Sequence, residues 1–206
     1  ASGKPVSLTS FQSTEIQDYV RDILKARPID CIFVFSGQMA QFVPAEYTGR
    51  LIMDFADVDS AKFESYGDEG SGPMAWINRR EGRLLRAFEK QIGAVADHSL
   101  FVSEAEAQLF RQRSGLDDQK VKALGNGIDL DFYDPAKVTA MERADKGPLI
   151  IFTGQMDYRP NIEAVVSFTA EVMPKILKRH SDTQFAIIGR APTADVLRLN
   201  GQNGTI

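Results

Sequence analysis

Leu149-Ile150-Ile151-Phe152-Thr153-Gly154, followed by a turn, a helical-looking segment and then Phe185-Ala186-Ile187-Ile188-Gly189-Arg190, is the stretch that decides the fold. Both runs are short, nearly continuous in apolar residues, and closed by glycine. Strands covered by helices on both faces read this way, because neither face alternates with polar residues. Between them Ile162, Val165, Val166, Val172, Met173, Ile176 and Leu177 recur at helical spacing. The pattern predicts a βαβ unit: strand Leu149 to Thr153, helix Ile162 to about Arg179 capped by Asn161, and strand Gln184 to Ile188. A short helix from Thr193 to Leu199 follows.

The upstream residues repeat the alternation of strand and helix. Ser13 or Thr14 caps a helix to about Ala26, which Arg27-Pro28 ends, since the residue before proline is pushed out of the helical region. Cys31 to Ser36 and Arg50 to Phe55 read as buried strands, with Cys31 a small core hydrophobe. After a glycine-rich loop from Gly67 to Gly72, Pro73 opens a helix of about Met74 to Ala96. Ile77, Leu84, Leu85, Phe88, Ile92 and Val95 share its inner face, and Arg79, Arg83, Arg86 and Lys90 its outer one. Trp76 reads as packing. A strand at Ser99 to Ser103, a helix at Glu104 to Arg113 and a strand at Lys120 to Leu124 complete this part. Gly125 to Gly147 is irregular and charged, which marks a connector. The expected division is therefore 1–124, a connector at 125–147, and 148–206.

Composition narrows the function. With 43% hydrophobic and 25% charged residues and 13 Phe in 206, the chain can bury a core. A net charge of −4 argues against wholesale nucleic-acid binding. One cysteine forms no internal disulfide, and no stretch has the roughly 18 apolar residues that span a bilayer. The expected location is the cytoplasm, with the Arg79, Arg83, Arg86 and Lys90 stripe available to dock on the inner face of an anionic membrane or to remain a solvated face. His98 and His180 read as structural. Neither terminus reads as a natural chain end.

The motif Gly125-Asn126-Gly127-Ile128-Asp129, with Phe132 and Pro135, resembles the segment by which glycosyltransferase family 4 enzymes enter their second domain. The strand-glycine runs at Gly154 and Gly189, Tyr158-Arg159-Pro160-Asn161 between them, and Phe101-Val102-Ser103-Glu104-Ala105-Glu106 upstream are similar to that family in order and spacing. With Asp54 to Ser60, the set looks most like sugar transferases of exopolysaccharide and PEP-CTERM systems. The resemblance implies an α/β protein of the GT-B type: two Rossmann-like parallel-sheet domains, both incomplete in this sequence, the first facing an acceptor and the second a nucleotide sugar. It implies a retaining hexosyltransferase using a UDP- or GDP-sugar, with no cofactor and no metal site, on a growing exopolysaccharide, lipopolysaccharide or lipid-linked acceptor.

In such an enzyme the departing diphosphate needs cations and backbone N–H groups, which a strand-glycine-turn-helix start supplies. The donor contacts this implies are Asn126, Gly127, Gly154, Gln155, Arg159, Asn161, Gly189 and Arg190. Relatives carry Arg and Lys where Gln155 and Asn161 stand, so Arg159 is the candidate substitute cation. Asp54, Asp57 and Asp59 lie where relatives place an acceptor-side acid; one of them orients or deprotonates the acceptor, or all three only cap loops. Asp57-Val58-Asp59 also has metal-binding spacing, but the downstream motifs do not belong to the metal-dependent fold. Two alternatives stay open: a sugar-nucleotide epimerase of the same architecture, or a binding fragment that lacks turnover by itself. A dehydrogenase is disfavoured, because no Gly-x-Gly-x-x-Gly follows a strand.

Overall fold

Sequence patterning resolves into two α/β units in a computed structural model, which describes residues 3–138 and 147–206. The units are Ala1–Leu130 and Asp131–Ile206. Residues 139 to 146 of the expected connector lie outside the described residues; the rest of it is extended chain, a turn and a 3₁₀ turn, Pro135–Lys137.

In the first unit, β1 (Cys31–Phe35), β2 (Arg50–Ala56), β3 (His98–Phe101) and β4 (Val121–Ala123) form a parallel sheet in that order. The helices are α1 (Val6–Ser10), α2 (Thr14–Ala26), α3 (Asp59–Glu69), α4 (Gly72–Val95) and α5 (Glu104–Ser114), with a 3₁₀ turn at Gly37–Phe42. Ser13 caps α2 by accepting from the Ile16 N–H. Pro73 sits in the first turn of α4, and Gly115 closes α5 at a left-handed φ of 78°. Phe55, Phe101 and Phe110 form the centre of the core, with ring centroids 4.8 to 5.4 Å apart. They tie β2, β3 and α5 together near the carboxyl ends of the strands.

Helices α3 and α4 approach closely because glycine replaces side chains at the contact. A Cβ on Gly82 would stand 3.0 Å from the Ser60 carbonyl and the Glu64 N–H, and one on Gly67 would stand 3.0 Å from the Arg79 N–H. Two buried carboxylates of α4 then cap neighbouring helices. Glu81 accepts from the Val6 and Ser7 N–H groups of α1, both at 2.8 Å, and Glu89 from the Ser60 N–H of α3 at 2.9 Å and its hydroxyl at 2.5 Å. Each satisfies donors that a helix start leaves open.

The second unit pairs β5 (Leu149–Gln155) with β6 (Gln184–Arg190) in parallel. The crossover runs through α6 (Arg159–Ser167), a π-helical turn (Phe168–Val172) and α7 (Met173–Leu177), and α8 (Ala194–Leu197) follows β6. Met156, Val165, Met173, Phe185, Val196 and Leu199 form its core.

Several expectations change. Cys31 is exposed, not core, because β1 is the outer strand of its sheet and its Cys31, Phe33 and Phe35 side is uncovered. In β2 only Leu51, Met53 and Phe55 are buried, while the opposite face is half-buried or exposed. Gly67 belongs to α3 instead of a loop. Trp76 is 62% exposed, so it does not pack as expected. Asn161 is not a cap: Pro160, with its fixed φ, lies in the first turn and α6 begins at Arg159 with Tyr158 as N-cap. The crossover helix is interrupted because Pro174 offers no N–H and crowds the carbonyl four residues back, and the π turn just before it accommodates that.

Candidate functional site

The carboxyl ends of parallel strands are where open α/β sheets bind ligands, and both units place polar groups there. In the first unit, Ser36 and Ala56, directly after β1 and at the end of β2, hold left-handed φ values of 72° and 63°. Non-glycine residues rarely adopt this conformation, and such strain gathers at functional sites. The Ser36 N–H donates to the Asp54 carbonyl at 2.8 Å, which joins the two strained corners.

The three sequence-predicted acids separate here. Asp54 turns its carboxylate to the Ala56 N–H at 3.1 Å and so supports the corner of β2. Asp59 accepts from Gln38 Nε2 at 3.0 Å and lies 3.9 Å from Lys62 Nζ. Gln38 in turn accepts from the Ser36 hydroxyl. Asp57 is exposed and carries no side-chain partner among the described residues, so it alone of the three has an unengaged carboxylate. Sequence reading missed Gln38, whose only signal was its place just after a strand and a glycine.

Carboxylates already occupy the start of α3. Besides Glu89 on Ser60, Glu106 of α5 accepts from the Val58 N–H at 2.7 Å. Arg113 donates to Ser60 Oγ at 3.2 Å and to Glu64 at 2.8 Å. Burial pushes the Glu89 carboxyl above its ordinary range, with Asp59 adding to the rise against the hydrogen bonds of Ser60 and the charge of Arg113. Glu81 goes the other way: burial raises it, but hydrogen bonds from Ser7 and Val6 and the nearby Arg80 charge outweigh that and leave it low. An anionic ligand would find the α3 start filled with like charge.

The second unit offers the opposite environment. Gly154 and Gly189 stand side by side in the β5–β6 register, followed by the pair Gln155 and Arg190. A Cβ on Gly189 would fall 1.8 Å from the Gly154 carbonyl oxygen, so the strands could not lie this close with a side chain at Gly189. Asn161 Nδ2 donates to the Gln155 carbonyl at 3.0 Å, and Arg190 Nη2 donates to Gln155 Oε1 at 2.9 Å. Ala191 follows with φ 54°. The first turn of α6 contains no acidic residue and no side chain caps it.

Five of the eight predicted donor residues, Gly154, Gln155, Asn161, Gly189 and Arg190, therefore meet at one end of one sheet. Arg159 belongs to the same turn, but its Nε donates to Glu163 at 2.6 Å along α6. Asn126 and Gly127 lie in the first unit, exposed in the extended chain after β4. Arg79, Arg83, Arg86 and Lys90 are all exposed on α4. No protein-family model matches the chain, and no curated protein matches it.

Proposed function

We propose that the protein is a nucleotide-sugar-dependent glycosyltransferase of the GT-B type, which moves a hexosyl group with retained configuration from a UDP- or GDP-sugar to an exopolysaccharide, lipopolysaccharide or lipid-linked acceptor. The observation that carries this reading is the Arg190 guanidinium held by Gln155 beside the Gly154–Gly189 pair and the uncapped start of α6. The resemblance leaves Gln155 where relatives have an arginine. In register on the next strand, Arg190 supplies that cation, and Gln155 orients it.

A guanidinium with two or more donors, glycines that let backbone come close, and a helix start without acids all favour a diphosphate. During transfer, negative charge grows on the leaving diphosphate, so groups aimed at it lower the barrier directly. In the first unit, Asp57 is the acid that would orient or deprotonate an acceptor hydroxyl, next to the corner that Gln38 and Asp59 shape.

Calorimetric titration of UDP and GDP into the chain and into Arg190→Ala tests the proposal. A charge-assisted hydrogen bond contributes about 1.5–3 kcal/mol, so the variant should bind at least about tenfold more weakly with its fold intact. Equal affinity in both proteins would remove the diphosphate from this site.

A further inference from the structure

The solvent face of α4 is the other feature of the molecule with a distinct chemical character, and it does not depend on the donor site. At about 100° per residue, Trp76, Arg79, Arg83, Arg86 and Lys90 fall within about 100° of arc, and all five are exposed. The only acids of α4, Glu81 and Glu89, are 3% and 4% exposed and face the other way, into the caps of α1 and α3. Surface helices ordinarily intersperse both signs, since pairs four residues apart support the helix. Here four cations share a face with no acid, in a chain where acids outnumber bases 28 to 24. One neighbouring acid, Asp68 of α3, reaches this face, 3.5 Å from Arg79 Nε.

Trp76, 62% exposed, extends the same face. We propose that this face of α4 seats the protein on an anionic lipid bilayer, with Trp76 entering the headgroup layer and Arg83, Arg86 and Lys90, with Arg79, meeting lipid phosphates. A bilayer fits better than a nucleic acid for two reasons. Binding along a duplex backbone asks only for cations, whereas an indole placed at the end of the cationic row fits an interface that is apolar below and wet above. The net charge of −4 also disfavours binding along a long polyanion, while lipid phosphates need meet only the exposed face of α4. The arginine and lysine stems lie along the surface and extend their heads to the phosphates.

Trp76 is the only tryptophan in the sequence, so its emission reports on this face alone. The chain is mixed with vesicles of phosphatidylcholine, or of phosphatidylcholine with phosphatidylglycerol, and sedimented while the fluorescence is read. The expected result is binding to the anionic vesicles only, weakened by salt, with a blue-shifted emission. R83Q/R86Q/K90Q should bind about a hundredfold more weakly, about fivefold per charge, with an unchanged melting curve because all three side chains are exposed. Trp76→Ser should weaken binding while preserving its salt dependence. The proposal is overturned by absence of binding, by equal binding of the triple variant, or by an unshifted emission on bound protein. Single-stranded RNA bound as tightly as the anionic vesicles, and lost in the same variant, would overturn it in favour of a general polyanion surface. Nucleotide titration reads a different unit, so failure here leaves the donor proposal standing, and the reverse holds.

Discussion

Replacing Glu89 should be among the most damaging single changes in the first unit, and its effect should depend on pH in a defined direction. The carboxylate is 4% exposed and accepts from both the N–H and the hydroxyl of Ser60, with Arg113 also donating to that hydroxyl. Glu89→Ala leaves a helix-start N–H and a hydroxyl without their acceptor in a buried site, while Arg113 keeps its partner Glu64. Two buried donors left unpaired cost about 1–3 kcal/mol each, together about 2–5 kcal/mol. For a unit of this size that lowers Tm by roughly 10–20 °C, at roughly 3–5 °C per kcal/mol. Glu89→Gln keeps the shape and one acceptor, and should lose only about 1 kcal/mol at neutral pH. Because the folded pKa is raised, the folded unit holds the proton more tightly than the unfolded chain does. That contribution is fully present below the ordinary carboxylate pKa and disappears as pH rises through the raised one. Melting curves collected across that window should show the wild type losing stability relative to Glu89→Gln as pH increases. A Glu89→Ala loss under about 1 kcal/mol, or parallel pH profiles for wild type and Glu89→Gln, would refute this account of the cap.

Glu81 should behave with the opposite sign. Its lowered folded pKa means that its contribution is present above the ordinary carboxylate pKa and lost as pH falls through the folded one, and Glu81→Ala should cost about 2 kcal/mol. Amide exchange of α1 reads this directly, and unchanged protection at Val6 and Ser7 would count against it. Gly189→Ala should destabilise the second unit by about 3 kcal/mol or more, since its Cβ would meet the Gly154 carbonyl at 1.8 Å. Gly154→Ala should be milder, because its nearest obstacle, at 2.8 Å, is the Asn161 side-chain amide, which can swing aside. Thermal melts that rank the two substitutions the other way would show that the strands part more easily than the register implies.

Apolar runs and a helical stripe made the strands and α4 legible, although Ile77 and Val95 of that stripe are exposed, and a cap with a proline stop marked α2, which buries no residue. Hydrophobic spacing could not reveal α3, whose buried residues are Ser60 and Gly67. That helix packs by close approach at Gly67 and Gly82, and small residues leave no periodic signal. Cys31, Phe33 and Phe35 read as core because apolarity reports what a strand could bury and not whether a layer lies over it. Asn161 looked like a cap, but Pro160 moved the helix start a turn earlier. At the sites, residue types were visible and couplings were not. That Gln155 holds Arg190 follows from a parallel register of two strands 35 residues apart. That Asp57 is the unengaged acid follows from Gln38 and Ala56 claiming its neighbours.

One helix illustrates why such couplings decide chemistry. Along α4, composition alone shows two acids and several bases, an ordinary mixture that would suggest paired surface charges. Folding separates them: the acids turn inward, where helix starts need anions, and Arg79, Arg83, Arg86 and Lys90 are left outward. The same two carboxylates that fix α1 and α3 thereby remove negative charge from the outer face of α4, so the caps and the cationic surface are consequences of one arrangement. A substitution that brought an acid to that outer face, such as Ala87→Glu, would leave both caps intact while cancelling part of the cationic field. It should therefore weaken anionic-vesicle binding about fivefold or more with no loss of stability, which separates the outward role of the helix from its inward one.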